Sequence, residues 1–134
     1  MYSEDWKNDV SIDEFWSLVE LARNDKRAFL KALRGMERRG LIRFSWLFEE
    51  FASRLGKKPY SSHTNSTFSE DVLEDLWEEV VGRGQEFYEN VVSHPEEMLV
   101  DIDYSDPSHE MRYEASNIFF ERYGEEIPPY SYDY

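Results

Sequence analysis

The most regular chemical feature of this chain is a run of carboxylates between residues 70 and 81. The pattern acid-acid-apolar-apolar occurs there three times in succession. On a helix, this spacing puts the carboxylates on one side and the apolar side chains on the other. The carboxylates belong to Glu70, Asp71, Glu74, Asp75, Glu78 and Glu79. The apolar residues are Val72, Leu73, Leu76, Trp77, Val80 and Val81. We therefore predict an amphipathic helix with a strongly acidic outer face.

This acidic face has two competing explanations. Like charges at i and i+4 repel by a few tenths of a kcal/mol per pair, or about 1 kcal/mol in total, unless a cation lies opposite. The face is either simply solvated or complementary to a basic partner protein. In the first case, a basic stripe predicted on the second helix would neutralise part of it. That stripe consists of Arg27, Lys31, Arg34 and Arg38. In the second case, the carboxylates would steer the encounter with the partner.

Metal binding and catalysis are the other chemistries that abundant carboxylates suggest. Di-iron helical bundles use Glu-x-x-His pairs, and none of His63, His94 and His109 has a glutamate three positions earlier. The run 101–112 begins like a calcium loop but lacks the glycine at its sixth position and the glutamate at its twelfth. Cysteine, the Gly-x-Ser-x-Gly motif and a phosphate-binding glycine loop are all missing from the sequence. We predict no catalytic residue, no metal site and no cofactor.

Aromatic residues add candidates for both the core and an interface. Trp16 and Trp77 lie on apolar stripes and are predicted to be buried. Trp46 lies off the apolar stripe of its helix, so we predict that it is exposed and anchors an interface. The tail 125–134 alternates tyrosine with aspartate and serine near its end, and could pack on the body or act as a docking segment.

The overall charge excludes one large class of partners. The chain has 134 residues and a net charge of −14, with twelve of its fifteen Lys and Arg before residue 59. Nucleic-acid binding depends on cations that displace counterions from phosphates, so we expect no nucleic-acid partner. No apolar run reaches the length of a membrane span and no basic-then-apolar leader is present, so we expect a cytoplasmic protein without a membrane partner.

Apolar spacing and capping residues predict the helices in the first half of the chain. A capping box from Ser11 to Glu14 opens the first helix, and Asp25 caps the second. A third helix runs from Leu41 to Leu55 and is closed by Gly56. The segment 57–68 lacks an apolar period and is predicted to be one long central loop.

The second half contains further helices by the same criteria. Thr67 offers a capping box for the acidic helix, which the sequence 82–84, Gly-Arg-Gly, breaks before a short helix over 85–92. Pro95 fits another helix start. Ser108 can cap a last helix that Gly124 ends. We predict an all-α single-domain bundle of about six helices over residues 1–134, with 1–10 and 125–134 as possible mobile tails.

Several phrases of this sequence resemble a bacterial helical family of unknown function that also occurs attached to tryptophan-glycine-arginine (WGR) domains. They are residues 15–23, the acidic stretch 69–84, the phrase 84–91 followed by His94-Pro95, and residues 113–115 leading to 123–128. Within the acidic stretch 69–84, Ser69, Asp71, Asp75 and Gly84 match the family's motif. Trp77 stands where the family commonly has arginine, and Glu79 where it commonly has tryptophan. The resemblance spans about residues 12–130. It implies a helical fold and a bacterial or phage-related origin, and it brings no reaction with it.

These observations favour a protein-binding module over an enzyme. We expect a basic protein partner on the acidic face, and the concrete version is an immunity or inhibitor protein that covers a cationic site. The alternative is an enzyme or small-ligand binder with a carboxylate-lined cleft between the acidic helix and the last helix. An enzyme would need carboxylates that converge with His94 or His109. A binder would need an exposed acidic face with an aromatic side chain beside it. Neither the partner's identity nor the oligomeric state follows from the sequence.

Overall fold

The computed structural model describes residues 7–63, 68–99, 103 and 107–129, and these form an all-helical bundle. The helices are α1 Asp9–Asn24, α2 Lys26–Arg34, α3 Arg38–Arg54, α4 Glu70–Gly82, α5 Gln85–Ser93 and α6 Met111–Tyr123. Short 3-10 helices occur at Tyr60–His63, Pro95–Glu97 and Pro107–Glu110. No strand occurs within these described ranges. The prediction of an all-α bundle of about six helices is confirmed.

Helix α3 lies at the centre of the bundle and packs against α1, α4 and α6. Aromatic rings from three helices meet around it. Phe15 of α1 contacts Phe44 and Phe48 of α3, with ring centroids 5.2 and 5.8 Å apart. Trp16 and Tyr88 bring α1 and α5 together at 5.5 Å. Such aromatic contacts add to the apolar area that these rings remove from water.

Most of the apolar residues that recur at helical spacing, which predicts a core position, are buried. The buried members are Phe15, Trp16, Val19, Phe29, Leu33, Phe48, Leu76, Val80, Ile118 and Phe119. Four others, Phe51, Leu73, Trp77 and Phe87, are only partly buried. They lie at the edges of the apolar stripes, where the neighbouring helix covers one side of the ring or chain and solvent reaches the other. Trp77 is therefore less buried than the sequence predicts.

Helix starts differ from the predicted caps by two or three residues. Asn8, and not Ser11, caps α1, because its side chain accepts a hydrogen bond from the Ser11 amide at 2.9 Å. Ser69 caps α4 by accepting from the Val72 amide at 3.3 Å, in place of Thr67, which lies outside the described residues. Asp25 caps α2 as predicted. Another polar side chain within one turn can satisfy the free amides at a helix start, so sequence alone does not choose between neighbouring caps.

The predicted break at residues 82–84 is confirmed. Gly84 adopts a φ of +107°, which L side chains rarely adopt, and it turns the chain from α4 into α5. Gly82 lies against the 3-10 helix Pro107–Glu110, and a Cβ atom at this position would come within 2.1 Å of the Ser108 carbonyl oxygen. Gly124 ends α6 with a φ of +69°, also as predicted.

Other boundaries were predicted less well. Pro95 starts only the single 3-10 turn Pro95–Glu97, and Ser108 lies buried within another 3-10 turn instead of capping α6. The predicted central loop contains the turn Tyr60–His63, where the buried Tyr60 hydroxyl donates to the Val92 carbonyl at 3.3 Å. Residues 1–6 and 130–134, predicted to be mobile tails in part, lie outside the described residues. Among the described helices, none combines the length and apolar character that crossing a membrane requires.

Candidate functional site

The six carboxylates of α4 do not form the single acidic outer face that the sequence predicts. Glu70, Asp71 and Glu74 are exposed and Asp75 is half-exposed. Within the described residues, none of these four takes part in an ion pair. Glu78 and Glu79 lie on the sides of α4 that other elements cover, and each is bound by an arginine. The free acidic face is therefore limited to residues 70–75.

Glu78 links α4 to α6 through Arg112. The Arg112 Nε and Nη2 atoms donate to Glu78 Oε1 at 2.7 and 2.5 Å. Burial raises the pKa of Glu78, Arg112 lowers it, and Asp75 and Glu74 raise it further by repulsion. The net direction is upward, so the ion pair does not fully compensate the loss of hydration. The Glu78 carboxylate is therefore already bound by Arg112 of α6.

Glu79 is completely buried, with 0% of its surface exposed. Its Oε2 accepts a hydrogen bond from Arg83 Nη2 at 2.5 Å, and its Oε1 accepts from the Asp103 amide at 2.8 Å. A buried carboxylate is tolerated only when such donors replace water. Glu79 is covered because α4 packs closely against the 3-10 helix Pro107–Glu110 on that side. Its role is to hold the end of α4 and residue 103 together.

A second arginine holds the same junction from α1. Arg23 Nη1 donates to the Gly82 carbonyl and to the buried Ser108 hydroxyl, both at 3.2 Å. Carbonyl groups at a helix C-terminus carry partial negative charge, so an arginine stabilises them. The ends of α1 and α4 and the Pro107–Glu110 turn therefore meet at a polar junction that is structural in character.

The basic stripe of α2 does not neutralise α4 by ion pairing within the described residues. Lys26, which is not part of that stripe, lies 4.0 Å from Glu110 and 3.5 Å from Glu114 of α6. Arg38 pairs with Glu125 at 2.5 Å and stacks over the Phe119 ring. These bases serve the contact between α2, α3 and α6. Within the described part of the chain, no ion pair therefore joins this stripe to the carboxylates of α4.

Trp46 is not an exposed interface anchor. Only 2% of its surface is exposed, and its Nε1–H donates to the Pro128 carbonyl at 2.8 Å. The segment that follows α6 returns over α3 and covers the ring, which no periodicity within α3 can reveal. The prediction that Trp46 is exposed is wrong, and so is the anchor role that rested on it.

Among the described residues, two aromatic side chains are exposed, and both belong to α6. Tyr113 is 68% exposed and Phe120 is 57% exposed. They are seven residues apart, which is two helical turns, so they lie on the same outer face of α6. Large exposed aromatic side chains are common anchors of protein interfaces.

The Arg112–Glu78 ion pair connects the helix of the exposed aromatic pair to the helix of the free carboxylates. Tyr113 directly follows Arg112, which is bonded to Glu78, and Glu74 and Asp75 precede Glu78 by one helical turn. We call the combined region the acidic–aromatic surface. Its members are Glu70, Asp71, Glu74, Asp75, Tyr113 and Phe120.

Glu49 of α3 extends the negative potential next to this surface. Burial raises the pKa of Glu49, Arg112 lowers it, and repulsion from Glu74 raises it. Arg112 thus acts on carboxylates from both α3 and α4. One cation among four acidic groups leaves this region negative, as a basic ligand requires.

Metal ligands do not gather among the described residues. No group of three or more His, Asp or Glu side chains lies close enough to hold an ion in that part of the chain. His94 is exposed at the end of α5. The side chains of His63 and His109, and most of the aspartates at 101–106, lie outside the described residues.

Sequence reasoning missed the arginines and the α6 aromatics. Glu79 and Arg83 are four residues apart, which is the spacing of a helical ion pair, and this signal was available. Tyr113 and Phe120 lie opposite the apolar stripe of α6, a second available signal. The pairing of Glu78 with Arg112 joins residues 34 positions apart and has no local signature.

Comparison with known proteins gives a family and no activity. A search of curated proteins and a search of solved structures each gave no significant match. Residues 11–125 match the family model described as a protein of unknown function, DUF4240, which covers all six helices except the first two residues of α1. The chain therefore belongs to the DUF4240 family of proteins of unknown function.

Proposed function

We propose that this protein is a non-enzymatic protein-binding module that binds a basic partner on the acidic–aromatic surface. One observation supports the proposal: the Arg112–Glu78 ion pair joins α6 to α4, and the exposed Tyr113 directly follows Arg112 on α6. A binder was expected to combine an exposed acidic face with an aromatic side chain. Trp46 has no part in this surface, because it is buried.

The two components of the surface would act at different stages of binding. The carboxylates attract a cationic partner over about 8–10 Å near physiological salt and raise the association rate. Tyr113 and Phe120 would then bury apolar area and slow dissociation. Because Glu70, Asp71 and Glu74 are exposed, they lose little hydration until the partner arrives. Fast association and slow dissociation together suit a small protein that binds a basic surface.

The biological setting belongs to the same proposal. An immunity or inhibitor protein that covers the cationic site of a toxin or nuclease is the concrete version. We further propose a cytoplasmic, bacterial or phage-related protein whose relatives also occur beside WGR domains. A gene for a cationic toxin next to the gene for this chain would support this version. Neighbouring genes without any basic product would count against it.

Capture experiments with the full chain test the proposal. The acidic variant carries E70Q, D71N, E74Q and D75N, and the aromatic variant carries Y113A and F120A. The matched control carries E86Q, E89Q, E96Q and E97Q. It also removes four negative charges, but from exposed positions on α5 and the turn after it. Proteins captured from lysate by each immobilised variant are identified and quantified by mass spectrometry over a series of salt concentrations.

We expect the parent and the control to capture the same basic proteins, with capture falling steeply as salt rises. The acidic variant should lose these proteins, and its remaining capture should depend less on salt. The aromatic variant should keep the salt dependence and release the proteins faster. If the acidic variant captures the same proteins with the same salt response as the control, the face is only solvated and the proposal fails.

A further inference from the structure

The basic stripe of α2 is a charged feature that the acidic–aromatic surface does not use. Its members on α2 itself are Arg27, Lys31 and Arg34, which are spaced i, i+4 and i+7 and so lie on one side of the helix. All three are exposed. Within the described part of the chain, none of their side chains takes part in an ion pair or a side-chain hydrogen bond. A protein with a net charge of −14 therefore presents a compact patch of unpaired cations.

An apolar side chain borders these cations. Leu30 lies one helical turn from both Arg27 and Arg34, and it is only partly buried. Phe29 and Leu33 of the same helix are buried in the core. We call the set Arg27, Leu30, Lys31 and Arg34 the basic α2 face. It offers a partner both charge and a small apolar contact.

The helix dipole explains two of the three cations but not Arg27. Lys31 and Arg34 lie in the last turn of α2, where the partial negative charge of the helix end favours cations. Arg27 lies in the first turn, where the dipole disfavours a cation and no acidic residue follows the cap. The cap itself, Asp25, accepts a hydrogen bond from a backbone amide at 3.2 Å. Lys26 in the same turn has carboxylates at 3.5 and 4.0 Å, whereas Arg27 has none. The position of Arg27 therefore needs an anionic group from outside the described chain to be favourable.

We propose that the basic α2 face binds an acidic helical segment of a partner protein, about two turns long. Arg27 to Arg34 spans seven residue steps of about 1.5 Å each, or about 10 Å. Carboxylates at i, i+4 and i+7 of a partner helix repeat at the same interval and meet the three cations in register. Each arginine binds a carboxylate through two parallel hydrogen bonds, so Arg27 and Arg34 fix the two ends of the segment. An apolar side chain next to the carboxylates contacts Leu30.

The small size of the face distinguishes this occupant from other anions. Nucleic acids and anionic membranes carry negative charge over far more than the length of the face, so they would also approach the rest of a protein with a net charge of −14. Basic segments that recognise anionic membranes typically contain four to eight Lys or Arg. A single small anion would leave part of the face without a partner. A short acidic segment covers all three cations and extends no further. This partner is opposite in charge to the basic partner of the acidic–aromatic surface, so the two surfaces bind different proteins.

Synthetic helical peptides serve as the probe for this face. The acidic peptide is alanine-rich and about 16 residues long, enough to form a helix in water, with glutamates at i, i+4 and i+7 and one leucine beside them. The comparison peptide has the same composition, but its glutamates are spread around the helix. Circular dichroism is used to match the helicity of the two peptides. Calorimetry measures the binding of each peptide to the full chain at low and at physiological salt.

Two triple variants locate the binding. The basic-face variant carries R27Q, K31Q and R34Q, which removes three positive charges and keeps good helix formers. The matched control carries R54Q, K57Q and K58Q, which removes three positive charges from exposed positions at the end of α3 and just after it. We expect saturable one-to-one binding of the acidic peptide to the parent and to the control, with affinity falling as salt rises. The basic-face variant and the comparison peptide should each bind about tenfold more weakly or worse.

A single charge reversal separates binding from folding. R27E places a carboxylate in the first turn of α2, where the helix dipole favours it. Its thermal melting temperature should therefore equal or exceed that of the parent, while its affinity for the acidic peptide should fall about fivefold or more. A loss of affinity in a variant of unreduced stability comes from the face and not from unfolding. Unchanged affinity in R27E would overturn the proposal.

The remaining outcomes also decide the matter. Equal binding of the two peptides, equal binding to both triple variants, or no saturable binding of the acidic peptide would overturn the proposal. Duplex DNA or anionic phospholipid vesicles that bind the parent more tightly than the peptide, and that the basic-face variant fails to bind, would assign the face to a polyanion. Self-association of the parent in sedimentation that the basic-face variant abolishes would assign it to a second copy of this chain. Either assignment would overturn the proposal. The E70Q, D71N, E74Q and D75N variant should bind the acidic peptide as the parent does, so a failure at this face is distinct from a failure of the basic-partner surface.

Discussion

Glu79 and Arg83 form an ion pair at 2.5 Å across the last turn of α4, and the Glu79 carboxylate is entirely cut off from solvent. The pair straddles the helix end, because α4 stops at Gly82. The cation thus lies at the negative end of the helix dipole and beside the buried carboxylate. The same carboxylate also accepts the Asp103 amide, so one side chain fixes two chain segments.

Removing the arginine should destabilise the protein strongly. R83M keeps an unbranched side chain but leaves the Glu79 charge buried without its cation, which costs about 3–5 kcal/mol. Urea unfolding of R83M and the parent at neutral pH measures this loss. The double variant R83M with E79Q removes the buried charge as well, and we expect it to recover a large part of the loss. An unchanged free energy of unfolding in R83M would mean that the pair is not needed.

Close packing at Gly82 leads to a second prediction. A Cβ atom there would lie 2.1 Å from the Ser108 carbonyl oxygen, a backbone atom that cannot turn aside. G82A should therefore cost about 1–3 kcal/mol or more, as overpacking does. G35A is the matched control, because Gly35 is also at the C-terminal end of a helix and its added Cβ would meet atoms no closer than 3.6 Å. Thermal melts should show a clear loss for G82A only.

The fold could be predicted largely because its elements follow from local patterns. The apolar stripes of α1, α2 and α3 and the glycines at 84 and 124 act within one or two turns of their own position. Cap positions could not be fixed, since Asn8 and Ser11 are both polar and only the tertiary path of the chain selects one. Local patterns therefore predict that a helix exists better than where it begins.

The candidate site could be predicted only in part, for a related reason. The acidic face of α4 is visible in the sequence, but the burial of Glu79 depends on the distant Pro107–Glu110 turn. The exposure of Trp46 was predicted wrongly because Pro128, 82 residues later, supplies the partner of its indole N–H. Long-range contacts of this kind leave no periodic trace in the sequence.

Trp77 provides a test of packing between α4 and the end of α3. Its ring lies directly on Gly56, where an added Cβ would come within 2.7 Å, and its Nε1–H is buried without a hydrogen-bond partner among the described residues. W77A should cost about 2–4 kcal/mol, somewhat less than a fully buried tryptophan. W77F keeps the packing and removes the unpaired donor, so it should cost much less. Equal melting temperatures for W77A and the parent would reject this register of α4.

The carboxyl group of Glu49 should make stability depend on pH. Burial raises its pKa above the ordinary value of 4.5, so the folded state holds this proton more tightly than the unfolded state. The stability that the protonated Glu49 contributes is fully present below the unfolded-state pKa and is lost as pH rises through the folded-state pKa. E49Q cannot lose a proton, so its stability does not fall in this way. The free energy of unfolding of E49Q relative to the parent should therefore increase as pH rises from below 4.5 to neutrality.

Urea titrations of both proteins at closely spaced pH values measure this difference directly. Glu78 has a raised pKa too, but it is present in both proteins and cancels in the comparison. A difference between E49Q and the parent that stays constant over this range would show that burial does not shift Glu49.

The exposed carboxylates of α4 should fall into two pairs with opposite effects on stability. Glu70 and Asp71 occupy the first turn, where negative charge interacts favourably with the helix dipole by about 0.3–1 kcal/mol each. Glu74 lies near Glu49 and Glu78 and raises the pKa of both, and Asp75 raises that of Glu78. E70Q with D71N should therefore destabilise slightly. E74Q with D75N should stabilise by a few tenths of a kcal/mol or more, because it relieves repulsion.

Urea unfolding at low salt and at about 1 M salt tests this division, since the Debye length falls to about 3 Å at the higher concentration. Both differences from the parent should shrink there, because they arise from exposed charges. If both double variants change the free energy of unfolding by the same sign and size at low salt, the two pairs of carboxylates do not have opposite effects on stability. Because the opposing effects largely cancel when all four carboxylates are neutralised, that variant should have nearly the same free energy of unfolding as the parent. If it nevertheless captures fewer basic partners, the loss must come from the binding surface and not from unfolding.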